Sequence, residues 1–282
     1  MSGALDLDLP ERLARSSQRV ATPCGDGEMA WRVWGEGPPI VLLHGGHGSW
    51  EHWIRNIEPL ARHARVIACD LPGLSDSDPL PPPVDAGRLA EVVVAGIRRL
   101  VPEGALRMAG FSLGSVIAAT AAVQLGDRVR ELFVLGPAGL GEGWRDNGEG
   151  MLRRPYKESE EAQRAVVRHN LEVSMIGDPA RVDDLAIDVH YRVTSRRRRL
   201  IGMPISSSTA LLDALESMAS RSHVIAGEHD RYLMPDVATC LDNLRGRYPA
   251  LRTTLVPGAG HWVAYDAADT VNELLDGRAT DS

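Results

Sequence analysis

The 282-residue chain carries a net charge of -7, with 44% hydrophobic and 24% charged residues. That is the composition of an ordinary globular protein long enough to bury a large core, so no disulfide or metal staple is needed for stability. The acidic balance argues against nucleic acid as the main partner, because a phosphate backbone calls for a basic surface.

Residues 1–16 read as a flexible lead-in. Met1 to Pro10 lacks the basic start and apolar run of a signal peptide. No stretch anywhere has the length of apolar residues that spans a bilayer. A cytoplasmic location without a membrane partner is the expectation. Strands are expected around Gln18–Thr22 and Met29–Trp34, with Gly25-Asp26-Gly27 as the hairpin turn between them. Ile40-Val41-Leu42-Leu43 is continuously apolar, as a strand buried on both faces would be, and it enters a glycine-rich turn. Val66–Cys69 repeats the pattern and ends at Asp70-Leu71-Pro72-Gly73. Cys24, Cys69 and Cys240 are too few and too scattered for a disulfide framework.

Val84–Val101 has apolar residues at helical spacing. The strand Leu106–Phe111 runs into Ser112 and then into an alanine-rich helix, Leu113–Leu125. Another strand, Leu132–Leu135, follows. From Ala138 to Pro204 the chain turns charge-rich and helix-like, and the alternation stops. Lys157, the only lysine, sits in the polar run Tyr156–Glu161 and lacks the desolvated pocket of a Schiff-base lysine.

Beyond Pro204 come a helix (Ser208–Met218), a strand (His223–Ala226), a helix (Asp236–Arg245), a strand (Thr253–Val256) and a helix (Val263–Leu275). Repeated strand–helix alternation implies an α/β fold, a mostly parallel sheet flanked by helices. Residues 17–137 and 205–282 would form its core, and 138–204 an inserted helical cap.

Gly110-Phe111-Ser112-Leu113-Gly114 lies where an apolar strand meets an apolar helix, as a nucleophile elbow requires. The turn is so tight that side chains at the two glycine positions would collide. A serine hydroxyl needs a base, and Gly260-His261 offers one after the last strand. Asp230, on the loop after the preceding strand, is the carboxylate expected to orient that imidazole, with Glu228 and Asp236 nearby. The order Ser112, Asp230, His261 is the one expected of this fold. The N–H of Leu113 points at a helix N-terminus, where an oxyanion is favoured. Its partner is expected to be the N–H of Gly46 in His44-Gly45-Gly46-His47-Gly48, with Gly45 as the fallback.

The set His44-Gly45-Gly46, Asp70-Leu71-Pro72-Gly73, Gly110-Phe111-Ser112-Leu113-Gly114, Gly227-x-x-Asp230 and Gly260-His261 resembles the α/β-hydrolase superfamily over Ser17–Leu275 apart from the cap. Leu135-Gly136-Pro137-Ala138-Gly139-Leu140-Gly141 and Trp262 are similar to the meta-cleavage-product C–C hydrolases. Those enzymes usually carry asparagine where Phe111 stands. The resemblance implies a serine hydrolase acting on a small-molecule substrate: a carboxylic ester or lactone, or alternatively a C–C bond. No cofactor is implied. A non-catalytic, receptor-like member of the fold is the reading of another class.

Hydroxynitrile lyases of the fold carry lysine where Trp262 stands, and epoxide hydrolases and dehalogenases need an aspartate nucleophile. Gly45, His47, Phe111 and Trp262 are candidate pocket residues. Arg192, or one of Arg196–Arg199, is a candidate partner for a substrate carboxylate, which a guanidinium fork suits. His44, His47 and His52 are close in sequence but match no metal-ligand pattern, and His44 reads as a residue that braces the oxyanion loop. Composition leaves the oligomeric state open, a homodimer being the commonest arrangement.

Overall fold

The computed structural model describes residues 6–145, 148–195 and 203–277. The chain opens with α1 (Leu9–Ser16), the hairpin β1 (Gln18–Cys24) and β2 (Gly27–Trp34), and β3 (Pro39–Leu43). Then follow α2 (Ile57–Ala61), β4 (Arg65–Cys69), α3 (Ala86–Leu100), β5 (Leu106–Phe111), α4 (Leu113–Leu125) and β6 (Val129–Leu135). Between β6 and the next strand lie α5 (Glu160–Ser174), α6 (Asp184–Ser195), α7 (Met203–Ser206) and α8 (Ala210–Met218). The last part holds β7 (Ser222–Gly227), α9 (Val237–Arg247), β8 (Arg252–Val256), α10 (Val263–Asp266) and α11 (Ala268–Asp276).

One eight-stranded sheet runs β1-β2-β4-β3-β5-β6-β7-β8. The β1–β2 and β2–β4 pairs are antiparallel, and every pair from β4 onward is parallel. The apolar run Ile40–Leu43 is wholly buried at the sheet's centre. Helices cover both of its faces there, which is why no polar alternation appears. α4 is apolar around nearly its whole circumference because it is buried among sheet and helices.

The lead-in departs from expectation. From Leu9 it is helical, with Leu13 buried. The Leu13 carbonyl accepts from Trp34 Nε1–H at 2.8 Å, and Arg12 reaches Glu58 at 3.1 Å. Burial of Leu13 and these long-range bonds hold a helix too short to be stable alone. The final helix is also broken: Ala267 leaves helical geometry at φ -128, ψ 50, between α10 and α11.

Within the segment between β6 and β7, two stretches far apart in sequence lie side by side. Gly139 N–H donates to the Ser206 carbonyl at 2.7 Å, and Gly141 N–H to that of Ser208 at 2.9 Å. Arg196–Arg199 fall outside the described residues. Among the described residues no helix is long and apolar enough to cross a membrane.

Candidate active site

Ser112 is the single residue between β5 and α4, and its backbone sits at φ +51, ψ -120. A residue with a Cβ occupies that region only when its surroundings enforce it. Here Ser112 N–H donates to the Leu135 carbonyl at 3.0 Å. Its carbonyl accepts from Ser115 N–H at 2.9 Å and Ser115 Oγ–H at 2.6 Å. A Cβ on Gly110 would stand 2.7 Å from the Gly114 carbonyl carbon, and one on Gly114 would stand 2.8 Å from that of Leu43. Both glycines are therefore required by backbone contact, as the tightness of the turn predicts.

The three candidate catalytic residues converge. Ser112 Oγ lies 3.0 Å from His261 Nε2, and His261 Nδ1 lies 2.8 Å from Asp230 Oδ2. The second carboxylate oxygen of Asp230 accepts from Tyr232 N–H at 3.0 Å, which fixes its plane. Asp230 and His261 are only 3% and 4% exposed, so the pair works out of water, while Ser112 keeps partial exposure. The neighbouring acids are otherwise engaged. Glu228 accepts from Gly258 N–H at 2.8 Å, and Asp236 caps α9 through Thr239 N–H at 2.8 Å.

Leu113 N–H and Gly46 N–H have no protein acceptor among the described residues. The loop holding Gly46 lies beside the nucleophile: a Cβ on Gly45 would stand 3.2 Å from that of Ser112. The fallback donor is corrected by the structure, since Gly45 N–H is committed to His52 Nδ1 at 3.2 Å. His44 braces this loop as its sequence position suggests. Its Nδ1–H donates to the Gly45 carbonyl at 2.7 Å, and its Nε2 accepts from Leu71 N–H at 2.8 Å. Burial pushes its pKa down to about 4 against a lesser upward pull from the Gly45 bond, so it stays neutral.

The remaining pocket candidates distribute differently. The Phe111 ring is buried under the site, 5.0 Å from the His261 ring and 5.4 Å from that of His52. Trp262 is fully buried; its Nε1–H donates to the His52 carbonyl at 2.8 Å, and its ring stacks on Tyr265 at 4.2 Å. A tryptophan with its polar atom satisfied and no exposed surface is packing behind the base, which corrects the pocket expectation. His47 is exposed at φ +55.

Arg192 is also corrected. It pairs with Glu11 of α1, with Asp188 at 3.0 Å and with Glu51 at 3.8 Å. It lines an outer groove of about 720 Å³ with Glu11, Arg164 and Asp188. Three carboxylates already hold its charge. Among the described residues no three His, Cys, Asp or Glu side chains are grouped to hold a metal ion.

Sequence reasoning missed an aromatic wall. The Tyr232 ring lies 4.4 Å from that of His261, and Trp144 stacks on Tyr232 at 6.0 Å. It also missed the histidine pair His52 and His190, stacked at 5.4 Å, with His190 edge-on to Trp262 at 4.8 Å. The two-residue spacing from Asp230 was the one local signal for Tyr232. The histidine pair joins residues far apart in the chain and left no local signal.

A family model for the alpha/beta hydrolase fold matches residues 38–268. A 2-hydroxy-6-oxo-6-phenylhexa-2,4-dienoate hydrolase of Burkholderia cepacia is 25% identical over 254 residues, covering 85% of this chain and 87% of that protein. Naproxen esterase from Bacillus subtilis superposes with a TM-score of 0.73 at 19% identity, over 97% of this chain and 98% of its own. A meta-cleavage product hydrolase from Pseudomonas fluorescens superposes at 0.70 and 18% identity, over 92% and 96%. At such identities the two structures speak to the shared fold.

Proposed function

Because this chain belongs to the α/β-hydrolase family and is a hydrolase, we propose that it cleaves a small carboxylic ester or lactone with Ser112 as nucleophile. The observation that carries the reading is the unbroken chain Ser112 Oγ–His261 Nε2 at 3.0 Å and His261 Nδ1–Asp230 Oδ2 at 2.8 Å.

In the proposed mechanism His261 takes the Ser112 proton as Oγ attacks the carbonyl carbon. The charge that develops on the carbonyl oxygen is met by the N–H groups of Leu113 and Gly46, each worth on the order of 3 kcal/mol of barrier. Asp230 holds the imidazole in the tautomer with the proton on Nδ1 and stabilises the imidazolium. His261 then protonates the leaving oxygen, and water resolves the acyl-enzyme by the same route. No cofactor enters this chemistry. Residues 138–204 act as the cap over the site in this reading: His190 reaches the wall behind the triad and Trp144 backs Tyr232. A cytoplasmic enzyme with a small-molecule substrate, no nucleic-acid or membrane partner, and a homodimeric assembly completes the proposal, supported on the nucleic-acid side by the net charge of -7.

C–C bond hydrolysis is the second reading, favoured by the likeness to the Burkholderia cepacia dienoate hydrolase over 85% of this chain. The panel that separates the two contains p-nitrophenyl esters from acetate to octanoate, several lactones and a vinylogous 1,5-diketo acid, run beside Ser112→Ala. Ester or lactone turnover lost in the variant supports the first reading. Turnover confined to the diketo acid replaces it with the second, and an inert wild type leaves a small-molecule receptor.

A further inference from the structure

The loop that carries His261 is clamped by a carboxylate outside the triad. Asp266, at the end of α10, has a side chain only 1% exposed. One of its oxygens accepts from two backbone N–H groups, Gly260 at 2.7 Å and Gly177 at 2.8 Å. The other oxygen pairs with Arg181 at 2.8 Å. Gly260 directly precedes the base, whereas Gly177 and Arg181 belong to the segment between β6 and β7.

Two further observations show how tightly these backbones meet. Trp262 N–H donates to the Met175 carbonyl at 2.8 Å. A Cβ on Gly260 would stand 2.6 Å from Gly177 N, and one on Gly177 would stand 2.8 Å from the Ala259 carbonyl carbon. Residues 175–177 thus cross residues 259–262 at backbone contact, flanking His261 on both sides. The bonds that Asp266 makes at this crossing account for its burial.

We propose that Asp266 is a positioning residue for His261. By holding Gly260 against Gly177 it sets the height of the base loop, and with it the reach of Nε2 toward Ser112. The inference rests on the triad reading given above. The bonds to two N–H groups carry the effect; the Arg181 pair anchors the carboxylate from outside.

The test uses the full chain as wild type, Asp266→Glu, Asp266→Asn and Arg181→Ala. The readouts are the rate at which a fluorophosphonate labels Ser112, kcat and KM on the best ester of the panel, and the thermal midpoint. Glutamate keeps the charge and can still accept both bonds, but its extra methylene displaces the loop. A misplacement of about 1 Å can cost on the order of 100-fold. Asp266→Glu is therefore expected to label Ser112 at least about tenfold more slowly at a temperature well below its midpoint, with kcat falling in parallel, KM little changed and the midpoint lowered by the buried methylene.

Asp266→Asn retains an oxygen acceptor of the same reach and is expected to label near the wild-type rate, as is Arg181→Ala. Asp266→Glu labelling at the wild-type rate, with or without a lower midpoint, overturns the proposal. So does Asp266→Asn labelling as slowly as Asp266→Glu. A wild type that does not label at all counts against the triad reading itself, so the two failures are distinct.

Discussion

Gly45 donates its N–H to Nδ1 of His52 across 3.2 Å. That bond ties the glycine-rich loop after β3 to the short helical turn Trp50–Trp53 and leaves the next N–H, that of Gly46, without a protein acceptor among the described residues.

Removing the Gly46 N–H is expected to cost activity where enlarging the residue does not. Gly46→Pro deletes the donor and should lower kcat on the order of 100- to 1,000-fold. Gly46→Ala keeps it, and the added Cβ meets nothing within 4 Å, so its kcat should stay at the wild-type level. Steady-state kinetics on one ester reads both.

Asp230→Asn should fold yet lose roughly 10⁴-fold in kcat, because the amide no longer holds the His261 tautomer that accepts from Ser112. The buried carboxylate meets His261 Nδ1 at 2.8 Å. A circular dichroism spectrum like the wild type beside the lost rate confirms it. Substantial activity would point to a different acid.

Acidification should weaken the fold between about pH 6.5 and 4. His44 and His190 have their pKa values lowered from 6.5 to about 4, in both cases chiefly by burial, and His52 is held well below 6.5 for the same reason. Across that window the unfolded chain binds protons that the folded imidazoles refuse, so stability falls as pH drops. For His44 the difference is about 3 kcal/mol. Asp70 works in the opposite sense. Burial lifts its pKa from 3.8 to about 6, so its contribution is full below 3.8 and fades as pH rises through 6. Three histidines outweigh one carboxylate, and urea unfolding at pH 6.5 and 4.5 should show the acid-side loss.

Gly110→Ala should destabilise the protein by on the order of 3 kcal/mol, because the new methyl group would press on the Gly114 backbone. Thermal melts set against Gly246→Ala would separate this clash from the loss of a glycine alone, because Gly246 has no positive φ and nothing within 4 Å of the added Cβ.

Arg192→Ala should leave KM for uncharged esters unchanged and should lower the thermal midpoint, because the guanidinium pairs with Glu11 and Asp188. A selective rise in KM for carboxylate-bearing substrates would instead return Arg192 to substrate recognition.

The parts that sequence reasoning could reach are those where the chain is punctuated. The glycines around Ser112, the abrupt strand end at Leu43 and the Gly-His pair at 260–261 are local events, and each marks a backbone constraint. Arg192 shows the opposite case: its partner Glu11 is 181 positions away, and nothing near either residue announces the pairing. The N-terminal helix is short, and Leu13 is buried by tertiary contact. Trp262 looked like a pocket residue until the carbonyl of His52 accounted for its N–H.

The paired bonds from Gly139 to Ser206 and from Gly141 to Ser208 bring the two ends of a long excursion side by side. An arrangement of this kind makes the excursion a cassette: its two ends meet at one seam, so much of its interior can be lengthened, shortened or exchanged without re-threading the sheet. Selection, or an engineer, could rewrite that cassette while Ser112 keeps its seat between β5 and α4. The cassette is also tied to the frame along its length, by Arg192 to Glu11, by His190 against His52 and at Met175–Gly177 against residues 259–262, and a graft that ignores the last crossing would be expected to fold yet turn over slowly.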